Sequence, residues 1–245
     1  GGFAMSTFAE KIFINGEIVT LDAEGTIAEA VAVKNGIIVA VGSTEEVNKF
    51  KGEGTEVVDL EGRALSPGFF DSHSHFPMSG IQSLFRVELT SPPVGNIRCV
   101  ADMLAKIRER VAVTPKGEWI IGVGYDDTLI EEKRHLTKDE LDSISVDHPI
   151  ILAHISVHLG VANTPALKIM NITKDTPEPE GSLIEKDPVT GELTGLLAEL
   201  PFMNFYFKHL PPLTMEQGIA AIEKSVEQYA SQGVTTVQVG LLSDI

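Results

Sequence analysis

The chain has one cysteine, one tryptophan and three tyrosines in 245 residues, and it sets only 19 basic residues against 35 acidic ones. A lone thiol cannot close an internal disulfide, so no disulfide framework is expected to hold the fold. The formal charge of −16 removes the electrostatic force that draws proteins to phosphate backbones, and nucleic acid is excluded as an expected partner. No apolar run reaches the roughly 18 residues a bilayer-spanning helix needs, and no basic amphipathic helix is legible, so no membrane partner is expected either. A cytoplasmic location is the expectation, and a homo-oligomer is compatible with it. Gly1–Ala4 precede Met5 and carry no charged or apolar targeting pattern, so residues 1–5 read as a cloning remnant and start.

What is present is 43% hydrophobic residues and 22 glycines, enough for a large core. From Lys11 to Asp59 short β-rich runs alternate with turn signals: Ile12-Phe13-Ile14, Glu17 to Leu21, Ala30 to Val33 and Ile37 to Val41, separated by Asn15-Gly16 and Asn35-Gly36. Asn-Gly between such runs signals a hairpin, and residues 6–64 are expected to form a small antiparallel sheet domain. Beyond His75 helical and strand patterns alternate, as in β/α units around a parallel sheet. Strands are expected at Trp119–Gly124, Ile150–His154 and Val234–Val239, with Leu159–Met170 as an irregular helical stretch. Thr214-Met215-Glu216-Gln217 reads as a capping box that opens a helix with an apolar stripe at Ile219, Ile222, Val226 and Tyr229, stopped by Gly233.

His73-Ser74-His75 follows the apolar run Ala64–Asp71. Alternate residues of an extended segment point to the same side, so two imidazoles two residues apart at a strand end can converge on one ion. Leu65-Ser66-Pro67-Gly68-Phe69-Phe70-Asp71-Ser72-His73-Ser74-His75 resembles the L-x-P-G-F-x-D-x-H-x-H signature of the amidohydrolase superfamily. Gly122 to Asp126, Leu141-Asp142, His158 with Asn163 and Ala166-Leu167, and Asp187 to Glu199 resemble further blocks of its family 3, the branch of N-substituted formamide deformylase-like enzymes. The resemblance implies an α/β fold: a metal-dependent hydrolase (β/α)8 barrel beside a small β-sandwich-like sheet domain.

A closed barrel of this kind has eight strands in about 250 residues. Strands ending near His75, Asp126, His158 and Gly240 supply only about half of it, so residues 65–245 are expected to be the first half of a barrel, with a hairpin-like insertion near 178–198. The resemblance further implies hydrolysis of an amide, formamide or cyclic amide C–N bond. His73 and His75 are the expected metal ligands, and Asp71 an outer partner of one of them. Glu199 is a candidate bridging ligand. Tyr125, Asp126 and His158 are candidate substrate contacts. Imidazole donors suit zinc, as one ion or two, and nickel, iron and manganese are compatible. The general acid/base aspartate would lie beyond Ile245, so none is expected here and this stretch alone would be inactive. The alternative reading is a catalytically incomplete half-barrel that serves as a binding or regulatory subunit.

Overall fold

A computed structural model describes residues 8–240, and the stretch read as a cloning remnant lies outside them. The described residues divide into two compact units, one running to Asp71 and taking back Gly233–Thr236, the other holding Ser72–Gln232 and continuing from Val237.

The first unit contains β1 (Lys11–Ile14), β2 (Glu17–Val19), β3 (Ile27–Ala28), β4 (Ala30–Lys34), β5 (Ile37–Gly42), α1 (Thr44–Asn48), β6 (Glu56–Asp59) and β7 (Ala64–Leu65). They make two mixed sheets, β5-β4-β1-β6 and β3-β2-β7, rather than the single antiparallel sheet expected, because β6 joins β1, and β7 joins β2, in parallel. The two Asn-Gly signals part company here. Asn35 (φ 50°) and Gly36 (φ 73°) both take the left-handed conformation, and Lys34 pairs with Ile37, which is the two-residue hairpin. Asn15-Gly16 instead hands the chain from one sheet to the other: Leu60 and Gly62 donate their N–H groups to the carbonyls of Ile14 and Asn15, so the returning chain occupies the place of a hairpin partner. Strand β4 is buried on both faces, with Ala30 and Ala32 packed by Ile12 and Val47, and Val31 by Ile18 and Leu60.

The second unit follows from β8 (Phe69–Ser74), whose first residues belong to the first unit, through α2 (Met78–Phe85), β9 (Val87–Glu88), α3 (Val100–Val113), β10 (Ile120–Tyr125), α4 (Lys138–Asp142) and β11 (Ile150–His154). It continues with β12 (Leu159–Ala162), α5 (Thr164–Ile169), β13 (Leu183–Lys186), β14 (Leu193–Ala198), α6 (Leu200–Asn204), a π-helical turn at Phe205–His209, α7 (Met215–Ser231) and β15 (Val234–Val239). A six-stranded sheet in the order β13-β14-β12-β11-β10-β9 carries a core on each face. Ile120, Ile150, Leu152, Val161 and Leu196 point one way, toward Met103 and Ile107 of α3. Ile121, Ile151, Ala153, Ala162 and Leu197 point the other, toward Leu167, Phe202 and Phe205. Burial on both faces explains why β10 and β11 read as unbroken apolar runs, each large aliphatic side chain contributing about 1.5–3 kcal/mol.

Only β9, β10 and β11 run parallel; β12, β14 and β13 extend the sheet antiparallel. The stretch expected to be helical from Leu159 thus begins as a strand, because Leu159–Ala162 pairs with β11 and β14 and the helix starts only where Asn163 caps it. Strands β8 and β15 pair with each other and not with this sheet. The Phe69 N–H donates to Gly233 O, and the Gly240 N–H to Ser74 O, so the two strands run in the same direction. The four strand ends expected to share one barrel therefore lie on two separate sheets.

Helix α7 has the expected capping box, with Thr214 accepting from the Gln217 N–H. Its packing is not the expected one. Ile219, Ile222 and Val226 are exposed, while the buried residues are the small Ala221 and Ser225. Ser225 Oγ accepts from the Gly80 N–H at 2.9 Å and donates to Pro77 O at 3.0 Å, and a Cβ on Gly80 would fall 2.0 Å from Ala221 O. Small residues on both helices let the backbones of α2 and α7 meet, which an apolar-stripe reading cannot foresee. No described helix is long and apolar enough to cross a membrane.

Candidate functional site

Strand β8 delivers His73 and His75 at its C-terminal end, both exposed, with ring centroids 5.3 Å apart and planes at 78°. Between them Ser74 is buried and its hydroxyl meets that of Tyr229 on α7. The alternation is that of a strand: Ser74 faces inward, and its two neighbours face out together. This is the pair that the H-x-H pattern anticipates.

Glu199 and His158 come together through sheet register. Leu159 pairs with Ala198 in the antiparallel β12–β14 ladder, so the residues just before and just after them stand opposite each other. The Glu199 N–H donates to His158 O at 2.8 Å, and His158 Nδ1 lies 3.2 Å from Glu199 Oε2. Both side chains are substantially exposed. Backbone strain gathers at this contact: Val157 has φ 61° and Glu199 φ 57°, a region that non-glycine residues rarely occupy and that is least favourable for a β-branched one. Glu199 does not join His73 and His75 in a three-ligand cluster; its carboxylate is turned to His158.

The ends of β10 and β11 assemble a third group. Tyr125 pairs with His154 in the parallel ladder, which puts Asp126 and Asp127 beside that imidazole. His154 Nε2 is 3.2 Å from Asp127 Oδ1 and 4.0 Å from Asp126 Oδ1. Tyr125 is fully buried, and its hydroxyl lies 3.1 Å from His135 Nδ1, itself 3.8 Å from Asp127 Oδ1. The rings of Tyr125, His135 and His154 meet edge to face in all three pairings. Burial, and then the charge of Asp127, push the Tyr125 phenol above its ordinary range. Asp126 Oδ1 accepts from both the N–H and the hydroxyl of Thr128, which holds its carboxyl below the usual range.

Asp126, Asp127 and His154 form the one set of three ligand-type groups, among the described residues, whose atoms lie within 4.8 Å of one another. The hydrogen bonds of His154 bear on what this set can bind. The Ser156 N–H donates to Nδ1 at 3.1 Å, so in the neutral ring the proton sits on Nε2, the atom nearest Asp127. A metal at Nε2 would require that proton to move to Nδ1 and the Ser156 bond to break.

The remaining histidines differ from these. His148 is buried, with Nδ1 2.8 Å from Ser145 Oγ and Nε2 3.1 Å from Thr114 O, and it ties loops together. His209 helps line a cavity of about 320 Å³ with Met170, Ile172 and Ile184, which contains none of the expected site residues. Nothing in sequence marks His135, whose partners come from the strand ends. His154 becomes legible only once β10 and β11 are known to be neighbours.

The amidohydrolase family model matches residues 56–245. The chain is 33% identical over 195 residues to the N-substituted formamide deformylase of Arthrobacter pascens, covering 80% of this chain and 35% of that protein. An uncharacterized metal-dependent hydrolase from Pyrococcus horikoshii OT3 superposes with a TM-score of 0.62 at 26% identity, covering 93% of this chain and 42% of that one. A second, from Pyrococcus furiosus, shares the fold with a TM-score of 0.59 at 24% identity, covering 93% and 43%. The fold is thus of the metal-dependent hydrolase class. The chain belongs to the amidohydrolase family, and it spans well under half the length of these relatives.

Proposed function

We propose that this chain is the metal-holding N-terminal portion of a hydrolase that cleaves amide-type C–N bonds in a small molecule, with His73 and His75 as the first ligands. The observation that carries this reading is the pair of exposed imidazoles projecting together from the end of β8. Two imidazole nitrogens fit zinc best, and nickel, iron or manganese next. When bound, such an ion supplies Lewis acidity, polarising a carbonyl oxygen and acidifying water. His73 and His75 hold and orient it. His158, hydrogen-bonded to Glu199, is placed to take or give a proton or to contact substrate, and Glu199 is kept as a candidate for a further carboxylate ligand. The resemblance to a formamide deformylase puts N-substituted formamides among the candidate substrates, beside simple and cyclic amides.

The exposed apolar stripe of Met215, Ile219, Ile222 and Val226 on α7 supports a further β/α unit packing there, as completion of a barrel would require. The test is elemental analysis of the full-length protein, followed by an amide and formamide hydrolysis screen of wild type and His73→Ala. One or two transition-metal ions per chain, with metal and turnover lost together in the variant, is the expected result. Metal-free, inert protein after growth with added zinc and manganese would overturn it and favour a binding or regulatory subunit.

A further inference from the structure

We propose that Gly240 is a positioning residue for the histidine pair: its missing β-carbon leaves the space in which the His73 imidazole lies. This rests on His73 and His75 being metal ligands. Gly240 follows β15, and its N–H donates to Ser74 O at 2.9 Å, which fixes its Cα beside the end of β8. A β-carbon there would fall 2.9 Å from Cε1, 3.2 Å from Nδ1 and 3.4 Å from Nε2 of His73. All three are ring atoms, so the imidazole itself fills the space a side chain would take.

An exposed histidine ordinarily samples several staggered rotamers. Here Gly240 and the edge-on ring of His75, 5.3 Å away, restrict where the His73 ring can sit. A ligand held before the ion arrives forfeits less conformational freedom on binding. The backbone of Gly240 is not in the left-handed region, so alanine can adopt it without strain. The hydrogen-bonded strand is the fixed partner and the ring the movable one. A β-carbon at position 240 therefore displaces His73 before it disturbs the fold.

The experiment uses full-length protein stripped of metal and titrated with Co²⁺ in chelator competition, recording the visible spectrum. Gly240→Ala is expected to weaken Co²⁺ binding about tenfold or more and to change the spectrum, Gly240→Val more so, with the urea midpoint of Gly240→Ala near that of wild type. If both variants bind Co²⁺ as wild type does while His73→Ala abolishes binding, the positioning role is wrong and the ligand reading stands. If His73→Ala and His75→Ala also bind normally, the ligand reading fails and this proposal with it. Should Gly240→Ala lower stability, the same change in a His73→Ala background decides the matter. A loss that vanishes once the ring is gone supports the proposal, and one that persists overturns it.

Discussion

His158 stands opposite Glu199 in the continuation of the β12–β14 ladder, and its Nδ1 lies 3.2 Å from the Glu199 carboxylate. The contact is flanked by left-handed backbone at Val157 and Glu199 itself. Two strained residues beside one exposed hydrogen-bonded pair are more than a surface contact of small energetic worth would maintain. Val157→Gly should therefore raise stability by about 1 kcal/mol by removing the β-carbon at positive φ, read as a higher urea midpoint. His158→Ala should leave the midpoint nearly unchanged and lower turnover. Unchanged turnover would remove His158 from the working site.

The two candidate metal-binding groups make opposite forecasts. Elemental analysis should show metal lost in His73→Ala combined with His75→Ala, and retained in His154→Ala. The reverse pattern would move the ion to the ends of β10 and β11.

Asn163 is fully buried and uses its whole amide: Oδ1 accepts from the N–H groups of Ile150 and Ala166, and Nδ2 donates to the carbonyls of Ser145 and His148. Asn163→Ala leaves several of these groups buried without partners and removes the cap of α5. It should cost about 3 kcal/mol, measured by chemical denaturation. A cost below about 1 kcal/mol would mean water replaces the amide.

The contact of α2 with α7 is equally specific. Gly80→Ala puts a methyl group against the Ala221 carbonyl and should destabilise by about 3 kcal/mol. Ser225→Ala, which removes only the hydroxyl shared by Gly80 and Pro77, should cost about 1–2 kcal/mol.

Glu140 offers a pH test. Its side chain pairs with Arg134 through two oxygens, at 3.0 and 2.7 Å, and caps α4 at Thr137; the Arg134 hydrogen bonds are the main reason its carboxyl is held below the usual range. A depressed folded-state pKa means its stabilisation is fully present above the unfolded value of about 4.3 and is lost as pH falls through the folded one. Glu140→Gln should cost about 0.5 kcal/mol at pH 7, since glutamine keeps the capping box and exposed pairs contribute little. That difference should shrink as pH falls below about 4.3.

Much of this protein is legible in local pattern. The capping boxes, the Asn35-Gly36 hairpin, the apolar runs of β10 and β11, and two histidines facing the same way across Ser74 all follow from spacings of two to four residues, where chain geometry leaves few choices. Relationships across long stretches of chain do not. Leu159–Ala162 became a strand because β11 and β14 offered it hydrogen bonds on both sides. Asn15-Gly16 turned between sheets because residues 60–62 took the partner's place, and α7 buried Ala221 and Ser225 because Gly80 let α2 come close. The same holds for the site. Sequence named His73 and His75 as a pair and Tyr125, Asp126, His158 and Glu199 singly, but strand pairing set His158 against Glu199, gathered Asp127, His135 and His154, and laid Gly240 beside His73. Local preference is a property of a few adjacent residues, whereas register and close approach depend on which distant segment fills the remaining space.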